Sequence, residues 1–393
     1  MSLIQGESFM VRRSLLAAVF LPLVAALLSA TVQASNGKPI EESNLIGTQA
    51  LMSPVGTLEI DNTYPTDQTT QRLYEVRDLQ RAVELYLWAL PTVQFQSWKD
   101  GQEDAFGDGF TVYTTLKEHI GIITSNATTP YIFGWPNLKE AGPVVVEMPA
   151  GQYAAAIMDW WEYPVCDMGL SGPDKGKGGT YIIVGPEEKP EKYQGKADYV
   201  FQSRTNKLSV GFRVLDPGDD ALKAFMKKVK VYPLSSTAAA PRFAYKLDKV
   251  WSGTPKLGLG YFETVHKAIQ GEPVRGRDKI FVSWLRYFGI EDGKPFSPNK
   301  RNAKILAQGA NMAELVARAN AMQPYFAEPY WEGTQWYRLI DFPIEQEDER
   351  RYFVDERAAW FYEAVTTTKG MKTETPGVGQ IYLSTKRDKN ANS

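Results

Sequence analysis

A group of acidic residues surrounds two adjacent tryptophans in the middle of the chain. The acids are Asp159, Glu162, Asp167 and Asp174, and the tryptophans are Trp160 and Trp161. Paired acids can act as general acid and base, aromatic rings stack on sugar faces, and carboxylate oxygens also hold Ca²⁺. The spacing does not decide among these chemistries, and a loop with solvated acids and buried rings is the alternative. Asp159, Trp160, Trp161 and Asp174 are therefore candidate ligand-binding residues.

A glycine-rich segment follows at residues 172–179. Glycines allow backbone N–H groups to converge on an anion, and Lys175 and Lys177 add positive charge, so both lysines are candidate ligand-binding residues. The segment lacks the spacing of a phosphate-binding loop and leads into a strand instead of a helix. A strand connection that needs positive φ angles is the simpler interpretation.

Few residues are available for nucleophilic or metal chemistry. The chain has two histidines, His119 and His266, and one cysteine, Cys166. Neither histidine has a sequence context that names a catalytic partner, so we expect structural roles for both. The apolar context of Cys166 predicts a small buried side chain. We predict no catalytic set, no metal site and no cofactor.

Composition indicates a soluble globular protein. Of the 393 residues, 43% are hydrophobic and 23% are charged, and the length is sufficient for two domains. The net charge of −2 gives no electrostatic reason to expect binding to nucleic acid or to an anionic membrane.

Residues 1–34 have the pattern of a secretory leader. Arg12 and Arg13 precede an apolar stretch at residues 15–28, and small residues end the segment at Ala34. The apolar stretch is shorter than the roughly 20 residues that a membrane span requires. We expect cleavage before Ser35, no membrane span in the mature protein, and a periplasmic or secreted location. An uncleaved anchor is the alternative.

Hydrophobic periodicity predicts the secondary structure of the remainder. Residues 35–66 read as a polar lead-in, followed by a helix that Thr66 or Asp67 caps and that Pro91 ends. A hairpin is predicted for residues 199–203 and 208–214, in which alternating residues leave one face of the strands exposed to solvent. Further strands are predicted at 144–146, 152–158, 180–184 and 379–384, and further helices at 219–232, 261–270, 278–288, 303–320 and 355–368.

Several motifs in order resemble a known family. They are AVELYLWALP at residues 82–91, NATTPY at 126–131, GPVVV at 142–146 and GPDKGKGG at 172–179, and they resemble exported bacterial proteins of domain-of-unknown-function family 1254. DERAAWFY at 355–362 and GVGQ at 377–380 resemble the entry into the companion family 1214.

The resemblance implies an α+β fold that is mainly β with helical additions. It implies a jelly-roll-like antiparallel β-sandwich, a second sandwich that is incomplete here, and self-association as a trimer, but no established reaction. Family members continue beyond Ser384, so we expect a truncated chain. The expected segments are a signal peptide (1–34), a polar lead-in with the N-terminal helix (35–104), the family 1254 domain (105–232), a helical linker region (233–350) and the start of a family 1214 domain (351–393).

Two functions remain open from the sequence. The first is an oligomeric assembly or ligand-binding protein without enzymatic activity, because no catalytic set is recognisable. The second is an envelope hydrolase that acts on a glycan or ester through the carboxylates of residues 159–174.

Overall fold

The structure, a computed structural model, describes residues 37–122, 125, 129–364 and 382–385. Backbone contacts divide the chain into two compact units, Met1–Tyr74 and Glu75–Ser393. The predicted leader at residues 1–34 lies outside the described residues, so its cleavage stays a prediction.

Strands and helices are numbered here in chain order. The strands are β1 (Lys38–Pro39), β2 (Gln49–Ser53), β3 (Gly56–Asp61), β4 (Tyr64–Pro65), β5 (Phe110–Tyr113), β6 (Tyr131–Gly134), β7 (Val144–Met148), β8 (Tyr153–Asp159), β9 (Pro164–Gly169), β10 (Gly179–Val184), β11 (Tyr199–Gln202), β12 (Leu208–Val214), β13 (Lys230–Pro233) and β14 (Phe243–Ala244). The helices are α1 (Asp67–Phe106), α2 (Leu116–His119), α3 (Leu138–Ala141), α4 (Asp219–Lys228), α5 (Leu259–Ile269), α6 (Lys279–Tyr287), α7 (Lys300–Met322) and α8 (Val354–Glu363).

The first unit contains a small four-stranded sheet in the order β1-β2-β3-β4. Strands β2 and β3 form its antiparallel centre, with Leu51 opposite Leu58. Leu51, Leu58 and Ile60 form its buried core. The sequence pattern did not predict this sheet, because three apolar side chains in a polar segment give only a weak periodic signal.

The second unit is built on a β-sandwich. A six-stranded sheet in the order β14-β5-β6-β12-β8-β9 lies against a four-stranded sheet in the order β11-β10-β7-β13. Side chains from both sheets share one core, with Ile132, Ile157 and Phe212 from the larger sheet and Val146 and Ile183 from the smaller. Most strand pairs are antiparallel, but β11 pairs with β10 in parallel and β14 pairs with β5 in parallel.

The predicted hairpin of residues 199–203 and 208–214 is wrong in its pairing. Both strands are present, but β11 pairs with β10 in the smaller sheet, whereas β12 lies between β6 and β8 in the larger sheet. The alternating pattern identifies a strand from local periodicity, but it does not identify the strand's partner. The short segment between β11 and β12 therefore crosses from one sheet to the other.

The prediction that β12 has one solvated face is also wrong. Ser209 is 0% exposed, and a Cβ atom on Gly211 would lie 2.5 Å from the Phe133 ring. Phe133 belongs to a second cluster on the outer face of the larger sheet, where it contacts Trp98 of α1 at a ring-centroid distance of 4.3 Å. The larger sheet is thus buried on both faces, because α1 covers the face that the smaller sheet does not.

Helix α1 continues through Pro91 to Phe106, so the predicted end at Pro91 is wrong. A proline inside a helix costs about 3 kcal/mol or more because one hydrogen bond is lost and its ring crowds the preceding turn. Leu90, Val93 and Phe95 are almost completely buried. Each buried side chain of this size stabilises by about 1.5–3 kcal/mol, so packing around Pro91 outweighs its cost.

Helices α5 to α8 form the rest of the second unit. Their apolar faces pack against the part of α1 that precedes Pro91. There Tyr86 stacks on Tyr261 at a ring-centroid distance of 3.8 Å, and Trp88 stacks on Phe281 at 5.1 Å. The helices predicted at 261–270, 278–288 and 303–320 are present with small shifts of their ends. No helix in the described part of the chain is long and apolar enough to cross a membrane.

The predicted α+β class, mainly β with helical additions, is confirmed by several largely antiparallel sheets accompanied by helices. Most of the strand predicted at 379–384 lies outside the described residues, although Ser384 pairs with Tyr337 in an isolated bridge. The incomplete second sandwich therefore stays a prediction.

Adding a methyl group at Gly211 tests the burial of the outer sheet face. Gly211→Ala should lower the free energy of unfolding by about 1–3 kcal/mol, because the new Cβ atom overlaps the Phe133 ring. Gly276→Ala is the control, since no atom lies within 4 Å of its new Cβ, and it should change stability by less than about 0.5 kcal/mol. Urea unfolding measures both. Equal losses of stability in Gly211→Ala and Gly276→Ala would contradict the burial of this sheet face.

Candidate functional site

A cleft of about 940 Å³ lies between the larger sheet, α1 and the C-terminal end of α5. This volume is typical of a pocket for a small organic ligand. Its aromatic lining residues are Phe110, Trp135, Trp160 and Tyr232. Its polar and charged lining residues are Gln96, Lys99, Glu103, Asp108, Asn137, Lys139, Glu140, Lys207, Lys267 and Gln270.

The rings in the cleft wall are held at defined positions. Trp135 and Trp160 meet edge to face at 5.9 Å, and Phe95 of α1 packs against both. The Trp135 indole N–H donates to Oε1 of Gln102 at 3.0 Å. Such contacts fix aromatic orientation, so the wall is preformed.

Two buried polar atoms in the wall have no hydrogen-bond partner among the described residues. They are the indole Nε1 of Trp160, a donor, and Oε1 of Gln96, an acceptor. Trp160 is 1% exposed and Gln96 is 6% exposed. Buried polar groups are nearly always hydrogen-bonded in native proteins, by protein, water or ligand. Both atoms are themselves inaccessible to solvent, so the two residues contribute to the cleft wall without presenting these atoms on its surface.

Lys207 contributes positive charge to the same wall. Its ammonium group donates to the backbone carbonyls of Lys267, Ala268 and Gln270 at 2.9–3.1 Å, at the C-terminal end of α5. It also lies 5.7 Å from the Trp160 ring centroid. Burial lowers the pKa of Lys207, and the nearby Glu272 carboxylate opposes that shift. The carbonyls of a helix end favour a cation, so Lys207 is anchored there.

The crossing segment, residues 203–207 between β11 and β12, holds the backbone of Trp160 through a hydrogen bond. The Trp160 backbone N–H donates to Oγ1 of Thr205 at 2.8 Å, and that hydroxyl donates to the Lys207 carbonyl at 2.8 Å. The backbone N–H groups of Asn206 and Lys207 donate to the Glu272 carboxylate. The segment therefore ties the turn after β8 to the loop that follows α5.

The turn between β8 and β9 contains three of the candidate residues. Asp159 is 1% exposed, and its Oδ1 accepts from the backbone N–H groups of Trp161 and Tyr163 at 2.8 and 3.0 Å. Burial raises the pKa of Asp159, although these hydrogen bonds oppose the shift. Trp161 lies in the helical core, 4.9 Å from Trp88. Of the three, only Trp160 lines the cleft.

Glu162, in the same turn, is the most unusual buried group. It is 0% exposed, has a left-handed backbone with φ of 59°, and neither carboxylate oxygen has a hydrogen-bond partner among the described residues. Burial raises its pKa well above the usual range, Arg357 opposes that shift, and Asp159 adds to it. Glu162 is therefore protonated under conditions in which an exposed glutamate is ionised.

Arginines from other elements surround this turn. Arg357 of α8 is 0% exposed and donates to the Trp88 carbonyl and to Oε1 of Gln346. The Tyr352 ring lies between two guanidinium groups, 4.6 Å from that of Arg357 and 4.4 Å from that of Arg277. Gln346 in turn donates to the Trp161 carbonyl at 3.0 Å. These contacts bind the turn to the helical part of the second unit.

The glycine-rich loop before β10 is organised by Asp174. Its carboxylate accepts from the backbone N–H groups of Gly169 and Gly178 and from the Tyr181 hydroxyl at 2.6–3.1 Å. Lys175 has a left-handed backbone with φ of 52°, and Lys175 and Lys177 are exposed. None of Asp174, Lys175 and Lys177 is among the residues that line the cleft.

The histidines and the cysteine lie apart from the cleft lining. His119 is 1% exposed and packs against Tyr131, while His266 contacts the Lys294 carbonyl through Nε2 at 2.7 Å. Burial lowers the pKa of His119. Cys166 is 1% exposed within the sandwich core. Among the described residues, no group of three or more His, Cys, Asp or Glu side chains could hold a metal ion.

The β-sandwich is the part of the chain that matches a known protein family. Residues 110–233 match the family described as Protein of unknown function (DUF1254). This segment runs from β5 to β13 and supplies Trp135, Trp160 and Lys207 of the cleft wall, whereas Gln96 lies outside it. The resemblance to family 1254 is thereby confirmed for this segment. The resemblance to family 1214 stays a prediction.

Comparison with whole proteins is less informative than the DUF1254 match. No curated protein matches the chain. A crystal structure of a protein from Vibrio parahaemolyticus is 15% identical, with a TM-score of 0.44, and the match covers 62% of this chain and 59% of that one. An uncharacterized protein from Burkholderia cenocepacia is 12% identical, with a TM-score of 0.23 and coverage of 68% of each chain. The chain thus spans about three fifths of the Vibrio protein.

Replacing Glu162 tests its burial as a protonated group. Because its pKa is raised in the folded protein, its contribution to stability is greatest below the usual value of 4.5 and falls as the pH rises. Glu162→Gln, a neutral isostere, should therefore be more stable than the parent at pH 8 by about 1–3 kcal/mol, and equally stable at pH 4. Urea unfolding at both pH values provides the measurement.

The exposed Glu187 provides the matched control for this experiment. Glu187→Gln should follow the parent protein at both pH values, because its carboxylate is solvated in the folded and unfolded chain. A Glu162→Gln variant that is less stable than the parent at pH 8 would instead show that an ionised Glu162 stabilises the fold through Arg357.

Proposed function

We propose that the protein binds a saccharide in the cleft between the larger sheet, α1 and α5. The observation that carries the proposal is a cleft wall in which partly exposed aromatic rings lie beside polar side chains. A hydroxyl group both accepts and donates hydrogen bonds, so a ligand rich in hydroxyl groups can be bound by such side chains.

The aromatic wall supports the same ligand class. Sugars combine hydroxyl groups with apolar C–H faces, and Trp135 and Tyr232 offer partly exposed rings in the cleft. Amide groups of Asn137 and Gln270 line the same space and can hydrogen-bond to hydroxyls. A cleft with both kinds of group is a general arrangement for a polar ligand with apolar faces.

Binding is favoured over hydrolysis by where the carboxylates lie. Asp159 and Asp174 accept backbone hydrogen bonds and are not part of the cleft lining. In the cleft wall itself, Glu103 pairs with Lys99, and Glu140 accepts from the Asn137 side chain. Because Glu103 and Glu140 are engaged in this way, they support the shape of a binding surface, and Asp108 is the one further carboxylate among the lining residues.

Replacing Trp135 with phenylalanine tests the proposal. Trp135→Phe keeps an aromatic ring but reduces the stacking face and removes the N–H that holds the ring on Gln102, and should weaken saccharide binding about five- to tenfold. Isothermal titration calorimetry with cellobiose, maltose and N,N′-diacetylchitobiose as probes gives the affinities. We expect at least one of the three to bind the parent protein.

The control is an equivalent change at an exposed tryptophan outside the cleft. Trp331 is 52% exposed, so Trp331→Phe should leave the affinity unchanged. Thermal melting of both variants confirms that they are folded. Absence of binding by all three disaccharides at millimolar concentration would refute the proposal, as would equal affinities of the parent and Trp135→Phe.

We further infer that the protein is exported and self-associates, and that residues 351–393 begin a family 1214 domain. The leader pattern of residues 1–34 and the motifs at 355–362 and 377–380 support export and the family 1214 assignment. Exposed aromatic side chains, Tyr325 and Trp331 among them, support association between copies, because monomers rarely expose several large rings together.

One measurement tests export and association together. Native mass spectrometry of the protein recovered from producing cells should find subunits that begin at Ser35 and assemble as trimers. Trp331→Ser should weaken the assembly, whereas Lys228→Ser on the sandwich should not. A strictly monomeric species, or a subunit that retains residues 1–34, would contradict the corresponding part of the inference.

A further inference from the structure

A second pocket adjoins the cleft. It has a volume of about 370 Å³ and lies between α3, the end of β10 and the loop after α5. Its lining residues include Pro143, Gly185, Asn206 and Asp292. Lys139 and Gly271 line both pockets. Two consecutive residues separate at this point, because Asn206 lines the second pocket and Lys207 lines the cleft.

Lys139 lies at the boundary between the two pockets. Its Nζ atom would lie 3.1 Å from a Cβ atom placed on Gly271, so the side chain extends across from α3 to the loop after α5. Lys139 is exposed, and its ammonium group has no hydrogen bond or ion pair within the described part of the chain. Long lysine side chains change rotamer rapidly at a surface, so Lys139 is a movable group and not a fixed wall.

We infer that the cleft and the second pocket form one groove, which binds a chain of linked sugar units with Lys139 at the crossing point. This inference rests on the proposed saccharide binding in the cleft and extends it to the ligand's length. The cleft accommodates one end of the chain against Trp135, and the second pocket accommodates the units that follow.

The second pocket has the polar groups that further sugar units require. The Asn206 side chain is held by its Nδ2, which donates to the Gly271 carbonyl at 2.9 Å, and it offers its amide oxygen as an acceptor. Asp292 offers carboxylate oxygens that accept hydrogen bonds from hydroxyls. Asp292 is held in place because its Oδ1 accepts from the Gly271 backbone N–H at 2.8 Å. Lys139 can donate to hydroxyl or ring oxygens of the unit at the boundary, because its ammonium group has three donors.

Ligand length provides the test. Cellohexaose, maltohexaose and chitohexaose are compared by calorimetry with the disaccharides of the same three series. A hexasaccharide offers about five overlapping disaccharide registers, so up to about fivefold tighter binding follows from statistics alone. If the two pockets form one groove, the hexasaccharide of the series that binds should bind at least twentyfold more tightly than its disaccharide.

A larger side chain at Gly185 separates the contribution of the second pocket to binding from that of the cleft. A Cβ atom on Gly185 lies at ordinary contact distances of 3.7 and 3.8 Å from Asn206 and Leu138, so a larger side chain can be introduced at this wall. Gly185→Phe should reduce the gain for the hexasaccharide to fivefold or less and leave the disaccharide affinity unchanged. Gly185→Ala is the matched control and should keep the gain.

The outcomes distinguish the two hypotheses. Disaccharide binding without a length gain, or a gain that persists in Gly185→Phe, overturns the groove but leaves saccharide binding in the cleft intact. Absence of binding by both disaccharides and hexasaccharides overturns both. Unchanged disaccharide affinity in Gly185→Phe also shows that this variant is folded, so the loss of the length gain then supports the groove.

Discussion

Burial of helix α1 against two different surfaces is the constraint on which the second unit depends. On one side of Pro91, Trp88 is fully buried among α5 to α8. On the other side, Phe95 and Trp98 cover the outer face of the larger sheet. One helix therefore closes the helical core and gives the sandwich its second buried face. Gln96, on the same stretch of α1, reaches the cleft because the helix is held in this position.

The turn after β8 is a second link between the sandwich and the helical core. Trp160 faces the cleft wall, whereas Trp161 enters the helical core, so consecutive residues of one turn serve two environments. Asp159 holds the turn by accepting two backbone hydrogen bonds, and Glu162 is buried without a hydrogen-bond partner among the described residues. Backbone strain and an unpaired buried acid are costly, and such costs concentrate at functional positions.

Sequence patterns predicted six of the eight described helices but only five of the fourteen described strands, namely β7, β8, β10, β11 and β12. The helix predicted at 219–232 was wrong at its end, where residues 230–232 belong to β13. Long periodic segments are recognisable because periodicity is a local property, whereas short strands give a weak signal. The sequence patterns failed where the outcome depends on distant residues. The hairpin at residues 199–214 was wrong because partner choice is set by the whole sheet, and the end of α1 was wrong because packing outweighs the cost of Pro91. In the site, Trp160 was identified from its type, whereas Trp135 and Tyr232 were not, since the exposure of a ring in a cleft becomes visible only once its surroundings are known.

The crossing segment between β11 and β12 has a consequence for how this protein can change over evolutionary time. Its hydrogen bonds join the two sheets and also support Trp160 and anchor Lys207, so the same five residues determine both sandwich integrity and the shape of the cleft. Substitutions there alter foldedness and recognition together. Diversification of ligand preference is therefore easier at positions such as Lys99, whose side chain borders the cleft and pairs with Glu103 of the same helix.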